Sequence, residues 1–104
     1  MSEATTYKIL SWNVNGLNKP TKRRKVLSFL KRQGVDIVFL QETHLTDEEH
    51  DRLGKQWQGQ ILYSSFTSQA RGVAILIKKG IQFQSEKMEK DKGGRFIIVN
   101  GSVV

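Results

Sequence analysis

The chain is 104 residues long, with 17 Lys and Arg against 10 Asp and Glu (net charge +7), no cysteine and one proline. A single small domain, or part of a larger one, fits that length, and the missing cysteines exclude a disulfide framework, a thiolate metal site and a cysteine nucleophile. No apolar run reaches about 18 residues, which excludes a membrane-spanning helix, and the basic excess favours polyanionic partners, nucleic acid ahead of a membrane surface.

The start, Met1 to Tyr7, is polar and has no apolar core, so no secretory signal is expected and an intracellular protein is the natural reading. Tyr7 to Trp12 is rich in β-favouring residues and predicts a strand ending at the turn Asn13-Val14-Asn15-Gly16. Lys19-Pro20-Thr21 opens a helix, because proline has no N–H to lose in a first turn. That helix runs to about Gln33, with Val26, Leu27 and Leu30 on one face and Gly34 as its stop. Val35 to Leu40 is short and almost wholly apolar, as a strand covered on both sides would be. Strand, helix and strand make a βαβ unit with parallel strands and a right-handed crossover. Thr46-Asp47-Glu48-Glu49 is a capping box that starts a second helix ending near Leu53-Gly54. From there the pattern is β, in Ile61 to Ser64, Val73 to Ile77, Ile81 to Phe83 and Arg95 to Val99. Ser68 to Gly72 and Asp91 to Gly94 are the expected hairpin tips. The class is therefore α/β, a mixed sheet with a βαβ start and antiparallel strands after it.

Polar residues follow the ends of both parallel strands directly: Asn13 and Asn15 after the first, Gln41 and Glu42 after the second. Ligands in open α/β sheets bind outside the carboxyl ends of such strands. A carboxylate leaving a buried strand beside amide side chains suits Mg²⁺, which takes one or two protein carboxylates and leaves its other positions to water and phosphate. Acids after strands are common, so the alternative stays open at this point that Asn13 and Asn15 simply shape a turn and Glu42 is an exposed loop acid.

The segment Ser11-Trp12-Asn13-Val14-Asn15-Gly16-Leu17, followed by Leu40-Gln41-Glu42-Thr43-His44-Leu45, resembles the first two motifs of the endonuclease/exonuclease/phosphatase superfamily. Its members include abasic-site repair endonucleases, deoxyribonuclease I-like enzymes and the endonuclease domain of LINE-type retrotransposons. The retrotransposon branch is the most similar. The Lys/Arg-rich helix, Arg71-Gly72-Val73-Ala74-Ile75-Leu76 and the stretch from Lys90-Asp91-Lys92 to Gly101-Ser102 follow that branch in order and at similar spacing. The resemblance spans Tyr7 to Val104. It implies a four-layered α/β sandwich, with residues 1–104 a partial domain forming its N-terminal half. It further implies hydrolysis of DNA phosphodiesters with Mg²⁺ or Mn²⁺, of the kind that nicks a retrotransposon target site, with the nucleus as the place of action. Glu42 then takes the metal-ligand and catalytic position, and Asn13 lies beside it in the active centre. Asn15 stands at the metal where the repair enzymes carry an aspartate.

The family's catalytic tyrosine, its Gly-Asp-x-Asn segment, a later aspartate and its terminal Ser-Asp-His have no counterpart here. No turnover by the chain alone is expected, and the alternative is a non-enzymatic, retrotransposon-derived protein- or DNA-binding module. Half a sandwich would also leave Val73, Ile75, Ile77, Phe96 and Ile98 without part of their cover. Apolar burial contributes about 25 cal/mol per Å², and a domain's net stability is only about 5–15 kcal/mol. A homo-oligomer, or a complementing chain on the uncovered sheet, is therefore expected.

Seven basic residues lie between Lys19 and Arg32. They are either a nucleic-acid footprint, with Lys22, Arg23 and Arg24 as its candidates, or a solvated helix face. Arg71 is a further candidate for nucleic-acid contact, and Lys78 and Lys79 are weaker ones. Trp12, Phe29, Phe39, Phe83 and Phe96 read as core, Trp57 as core or a base-stacking platform, and His44 and His50 as surface residues. Asp47, Glu48, Glu49 and Asp51 read as a solvated helix face favoured by the macrodipole.

Overall fold

The computed structural model describes residues 4–104, so the first three residues of the polar start lie outside the described part. The elements are β1 (Ile9–Asn13), α1 (Pro20–Gln33), β2 (Ile37–Gln41), α2 (Asp47–Trp57), β3 (Gln60–Ser64), β4 (Val73–Ile77), β5 (Phe83–Lys90) and β6 (Ile97–Val103). Four strands form one sheet in the order β1-β2-β4-β3. β1 pairs parallel with β2, while β2–β4 and β3–β4 are antiparallel. The βαβ start and the antiparallel strands after it are both present. β5 and β6 form a separate two-stranded antiparallel ribbon.

Local chemistry accounts for the helix boundaries. Pro20 sits in the first turn of α1, and Gly34 caps its end in the left-handed conformation that glycine adopts without strain. At α2 the capping box is complete: Glu49 N donates to Thr46 Oγ1 at 3.2 Å, and Thr46 N to Glu49 Oε1 at 3.1 Å. α2 runs past Gly54 to Trp57, longer than its sequence suggests. Gly54 continues the buried stripe that His50, Leu53 and Trp57 define, because its missing side chain makes room for Ile61. The helix ends instead at Gln58, in left-handed conformation.

One face of the sheet is the core face. Val38, Leu40, Ala74 and Leu76 are buried there with Leu27, Leu30, Leu53 and Trp57 of the helices, and Leu10, Trp12, Ile61 and Tyr63 pack against them. Trp57 is core and no stacking platform: it is buried, and its Nε1 donates to Ile77 O at 2.9 Å. Trp12 meets Phe29 edge to face at 5.4 Å.

The opposite face is open. Ile9 is 59% and Phe39 39% exposed, and Phe96, just before β6, and Ile98 within it are exposed as well. Phe39 and Phe96 are therefore not core residues. Ile77 corrects the expectation in the other direction, since it is buried. The ribbon begins beside that end of the sheet, where Gln60 Nε2 donates to Phe83 O at 3.0 Å. Phe96 and Ile97 reach the open face too, lining with Phe39 and Ile75 a cleft of about 170 Å³.

Strand β5 differs most from its expected position, Ile81 to Phe83. It starts at Phe83 and runs through the polar stretch Gln84 to Lys90. Its residues are exposed on both faces after Phe83, so no burial imposes the alternating pattern that marks a half-buried strand. β6 likewise extends past Val99 to Val103, with mostly exposed residues.

Leu76 is fully buried at the centre of the sheet. Leu76→Ala is expected to lower the unfolding free energy by about 3 kcal/mol, through lost transfer energy and the cavity left behind; urea denaturation measures it.

Candidate active site

The carboxyl ends of β1 and β2 open onto a rim formed by three segments, 14–18, 42–46 and 65–72. Parallel pairing continues past the strands: Val14 N donates to Gln41 O at 3.0 Å, Gly16 N to Glu42 O at 2.7 Å and Leu17 N to Thr43 O at 2.8 Å. On the other side Thr43 N donates to Gly72 O at 3.0 Å and His44 N to Arg71 O at 2.8 Å. Glu42-Thr43-His44 is thus held as a central strip between two neighbours.

The backbone of this strip and its neighbours is unusual. Among the described residues, five non-glycine positions have positive φ: Asn15 (49°), Glu42 (55°), His44 (54°), Gln58 (66°) and Arg71 (60°). Gln58 is a helix cap, and the other four all lie on the rim. Such conformations cost on the order of 1 kcal/mol or more each and cluster at functional sites, where surrounding contacts enforce them. Gly72 supplies the close approach, because a Cβ there would overlap Thr43 Oγ1. On the other side, a Cβ on Gly16 would lie 2.9 Å from His44 Nδ1.

Glu42 is the acid at the centre. Its Oε2 accepts from His44 Nε2 at 2.8 Å and from Arg71 N at 3.1 Å. Among the described residues Oε1 accepts no hydrogen bond, and the side chain is 43% exposed. The hydrogen bond from His44, then that from the Arg71 amide, holds the carboxyl below its ordinary pKa. An ionised carboxylate with one oxygen fixed and the other open can take a cation.

Asn13 lies in register with Gln41, the residue before Glu42, so β1 and β2 deliver Asn13 and Glu42 to the same rim. Asn13 Oδ1 accepts from Asn15 N at 3.1 Å, an Asx-type contact that shapes the turn. Asn15 is exposed. Its carbonyl accepts from Lys22 Nζ at 3.0 Å.

Of the two histidines read as surface residues, His44 is partly exposed on the rim, and His50 is not a surface residue. His50 is fully buried. It joins Thr43 Oγ1 (2.9 Å) to Ser65 Oγ (2.7 Å), and it stacks on Tyr63 at 4.7 Å. Burial pushes its pKa down to about 4, so the ring is neutral at pH 7. Tyr63 OH donates in turn to Asp51 Oδ1 at 2.9 Å, which takes Asp51 out of a purely solvated role, and burial pushes the Tyr63 phenol up to about 12. His50 thereby ties α2 and the 65–72 segment to the backbone strip that carries Glu42. The buried helical spacing of His50, Leu53, Gly54 and Trp57 was the sequence signal for it.

The cationic candidates separate. Arg23 is only 7% exposed, and its Nη2 reaches Asn18 O at 3.5 Å. Asn18 Nδ2 donates to Ser68 O at 3.1 Å, so this loop is tied to the 65–72 segment. Arg24 is exposed. Arg71 is exposed, with its guanidinium over the Phe66 ring at 4.6 Å.

The residues fit a hard divalent cation. The strand ends carry oxygen donors, the Glu42 carboxylate and the side-chain amides of Asn13 and Asn15, beside the His44 imidazole that Glu42 already holds. Among the described residues no three His, Cys, Asp or Glu side chains converge into a closed cage. A single carboxylate with amide oxygens matches Mg²⁺, which keeps water and phosphate in its shell. Among the described residues no helix is long and apolar enough to cross a membrane.

Residues 10–102 match the model of the Endonuclease/Exonuclease/phosphatase family. The chain is 35% identical over 74 residues to the 149 kDa protein of transposon TX1 from Xenopus laevis, a match covering 71% of this chain and 6% of that protein. It is 46% identical over 44 residues to an exodeoxyribonuclease of Bacillus subtilis, covering 42% of this chain and 18% of that one. Among solved structures, truncated TDP2 of Caenorhabditis elegans superposes with a TM-score of 0.66 at 28% identity, over 93% of this chain and 41% of that one. The chain therefore spans less than half of each of these relatives.

The pKa of His50 is lowered on folding, so between pH 6.5 and 4 the unfolded chain binds the extra proton. Its contribution is fully present above pH 6.5 and is lost as pH falls toward 4, by about 3 kcal/mol in total. Urea unfolding across that range is expected to show the loss, and His50→Gln to remove that part of the pH dependence.

Proposed function

The chain belongs to the endonuclease/exonuclease/phosphatase family, and we propose that it serves metal-dependent cleavage of DNA phosphodiesters, of the kind that nicks a retrotransposon target site in the nucleus. One observation carries this reading: the Glu42 carboxylate stands on the strand-end rim with Oε2 fixed by His44 and the Arg71 amide, and Oε1 open. Similarity to a transposon protein and to an exodeoxyribonuclease supports the substrate class.

Glu42 and Asn15 would hold Mg²⁺ or Mn²⁺, with Asn13 beside them. The bound ion would supply Lewis-acid polarisation of the phosphate and stabilisation of the leaving oxyanion. His44 and the Arg71 amide keep Glu42 ionised and aimed. Lys22 and the Arg71 side chain flank the rim, where cations meet the phosphate backbone; Arg23 acts beneath them by holding the 15–18 loop. Activation of water needs a general base, which these motifs do not supply, so the 104 residues are expected to bind metal and DNA without turnover.

Mn²⁺ titration followed by electron paramagnetic resonance tests the site. Glu42→Gln is expected to bind Mn²⁺ at least about tenfold more weakly with an unchanged melt, since coordination needs the anionic oxygen. Equal binding by both chains overturns the metal site, and salt-sensitive DNA retention beside it would then identify a non-enzymatic binding module. Nicking of supercoiled plasmid that Glu42→Gln abolishes would show that these residues assemble a working centre by themselves.

We propose also that a second copy or a complementing chain covers the open sheet face. Ile9 and Phe39 place apolar surface there that association removes from water. Sedimentation velocity of the 11.9 kDa chain is expected to show concentration-dependent association that Phe39→Lys weakens. A monodisperse monomer would contradict it.

A further inference from the structure

The cations of α1 fall into two groups. Lys22 and Arg23 hold carbonyls of the 15–18 loop at the rim. Arg24, Lys25 and Arg32, with Thr21 and Ser28 between them, lie exposed on the outer side of the helix. They recur at the three- and four-residue steps that put side chains on one face, and together they line a shallow groove of about 510 Å³. A second groove shares Arg24, Ser28 and Arg32 and continues to Lys31 and Gln56, where Lys31 Nζ donates to Gln56 O at 3.2 Å.

These outer cations are uncompensated. The ion pairs among the described residues are His44–Glu42, Lys78–Asp36 and Arg95–Asp91, and none involves α1. α2 places Asp47, Glu48 and Glu49 in its first turn, where the helix dipole favours them. α1 has no acid in its first turn and carries Lys22 there, while Lys31 and Arg32 lie in its last turn, where the dipole favours them. With no acid beside them, Lys22, Arg24 and Lys25 repel one another, and an anionic partner relieves that repulsion.

We propose that the outer face of α1 is a second nucleic-acid interface, a track for the phosphodiester backbone of a duplex, separate from the rim that carries Glu42. Guanidinium groups and hydroxyls are the donors that recognise phosphate, and the small Ser28 between Arg24 and Arg32 leaves space for a strand to lie. Those two arginines are eight residues apart, about 12 Å along the axis, over which one strand advances about three or four phosphates. A membrane surface fits less well. A helix lying in the lipid interface needs an exposed apolar face, and Val26, Leu27 and Leu30 of α1 are buried against the core. The track requires no assumption about Glu42 or about cleavage.

Fluorescence anisotropy of a short DNA duplex, titrated over a range of salt, tests the track. Arg24→Gln with Arg32→Gln is compared with Lys87→Gln with Lys92→Gln, which removes the same charge from exposed positions of the ribbon. The α1 pair is expected to bind about tenfold more weakly, with a log K against log salt slope shallower by about two. The ribbon pair should stay near the parent, and Arg24→Lys with Arg32→Lys should retain the slope. An RNA duplex measured alongside shows whether the track takes both backbones or DNA alone. Unchanged binding by the α1 pair, equal loss by both pairs, or a loss confined to anionic lipid vesicles overturns the proposal.

Discussion

The rim of this molecule depends on a strip of three residues, Glu42-Thr43-His44, held by backbone hydrogen bonds on both sides. The segment after β1 runs along one side through Gly16 and Leu17, and the two residues before β4, Arg71 and Gly72, close the other. Glu42 and His44 adopt left-handed backbone conformations that an isolated loop would leave. The strip keeps them because pairing on both edges removes the alternatives. With the backbone fixed in this way, Oε2 of Glu42 meets His44 and the Arg71 amide, and the acid stays ionised at the surface.

Support from beneath is polar. His50 bridges Thr43 and Ser65 while stacked on Tyr63, in a region where an unpaired ring nitrogen would be costly. Satisfied on both nitrogens, it couples α2 to the strip and to the 65–72 segment. The two helices thus contribute differently. α2 buries a polar anchor and directs its acids along its own dipole. α1 buries an aliphatic stripe and Arg23, and turns uncompensated cations outward.

The other notable property is an imbalance between the sheet's faces. Helices cover one, while the second shows Ile9 and Phe39 and is only partly reached by the ribbon through Phe96 and Ile97. β5 itself contributes little apolar surface, since its residues after Phe83 are exposed. Membership of the family is shown by the match over residues 10–102, and the fold by superposition on TDP2.

Much of this was readable from local chemistry. The turn after Trp12, Pro20 and Gly34 around α1, the capping box at Thr46 and the apolar run of β2 each act within a few residues, so the sequence by itself determined the βαβ start, both helices and the placing of Asn13 and Glu42 at strand ends. The motif residues were legible through their resemblance to the first two motifs of the family, since spacing alone left a turn and an exposed loop acid equally available. Tertiary structure alone decided what depends on distant partners: which hydroxyls His50 meets, that Arg23 is buried, that Ile77 is covered while Phe39 is not, and that the polar residues of β5 form a strand. Burial and pairing across dozens of residues set these outcomes, and a polar side chain carries no local sign of whether a hydroxyl or carbonyl from elsewhere in the chain will meet it.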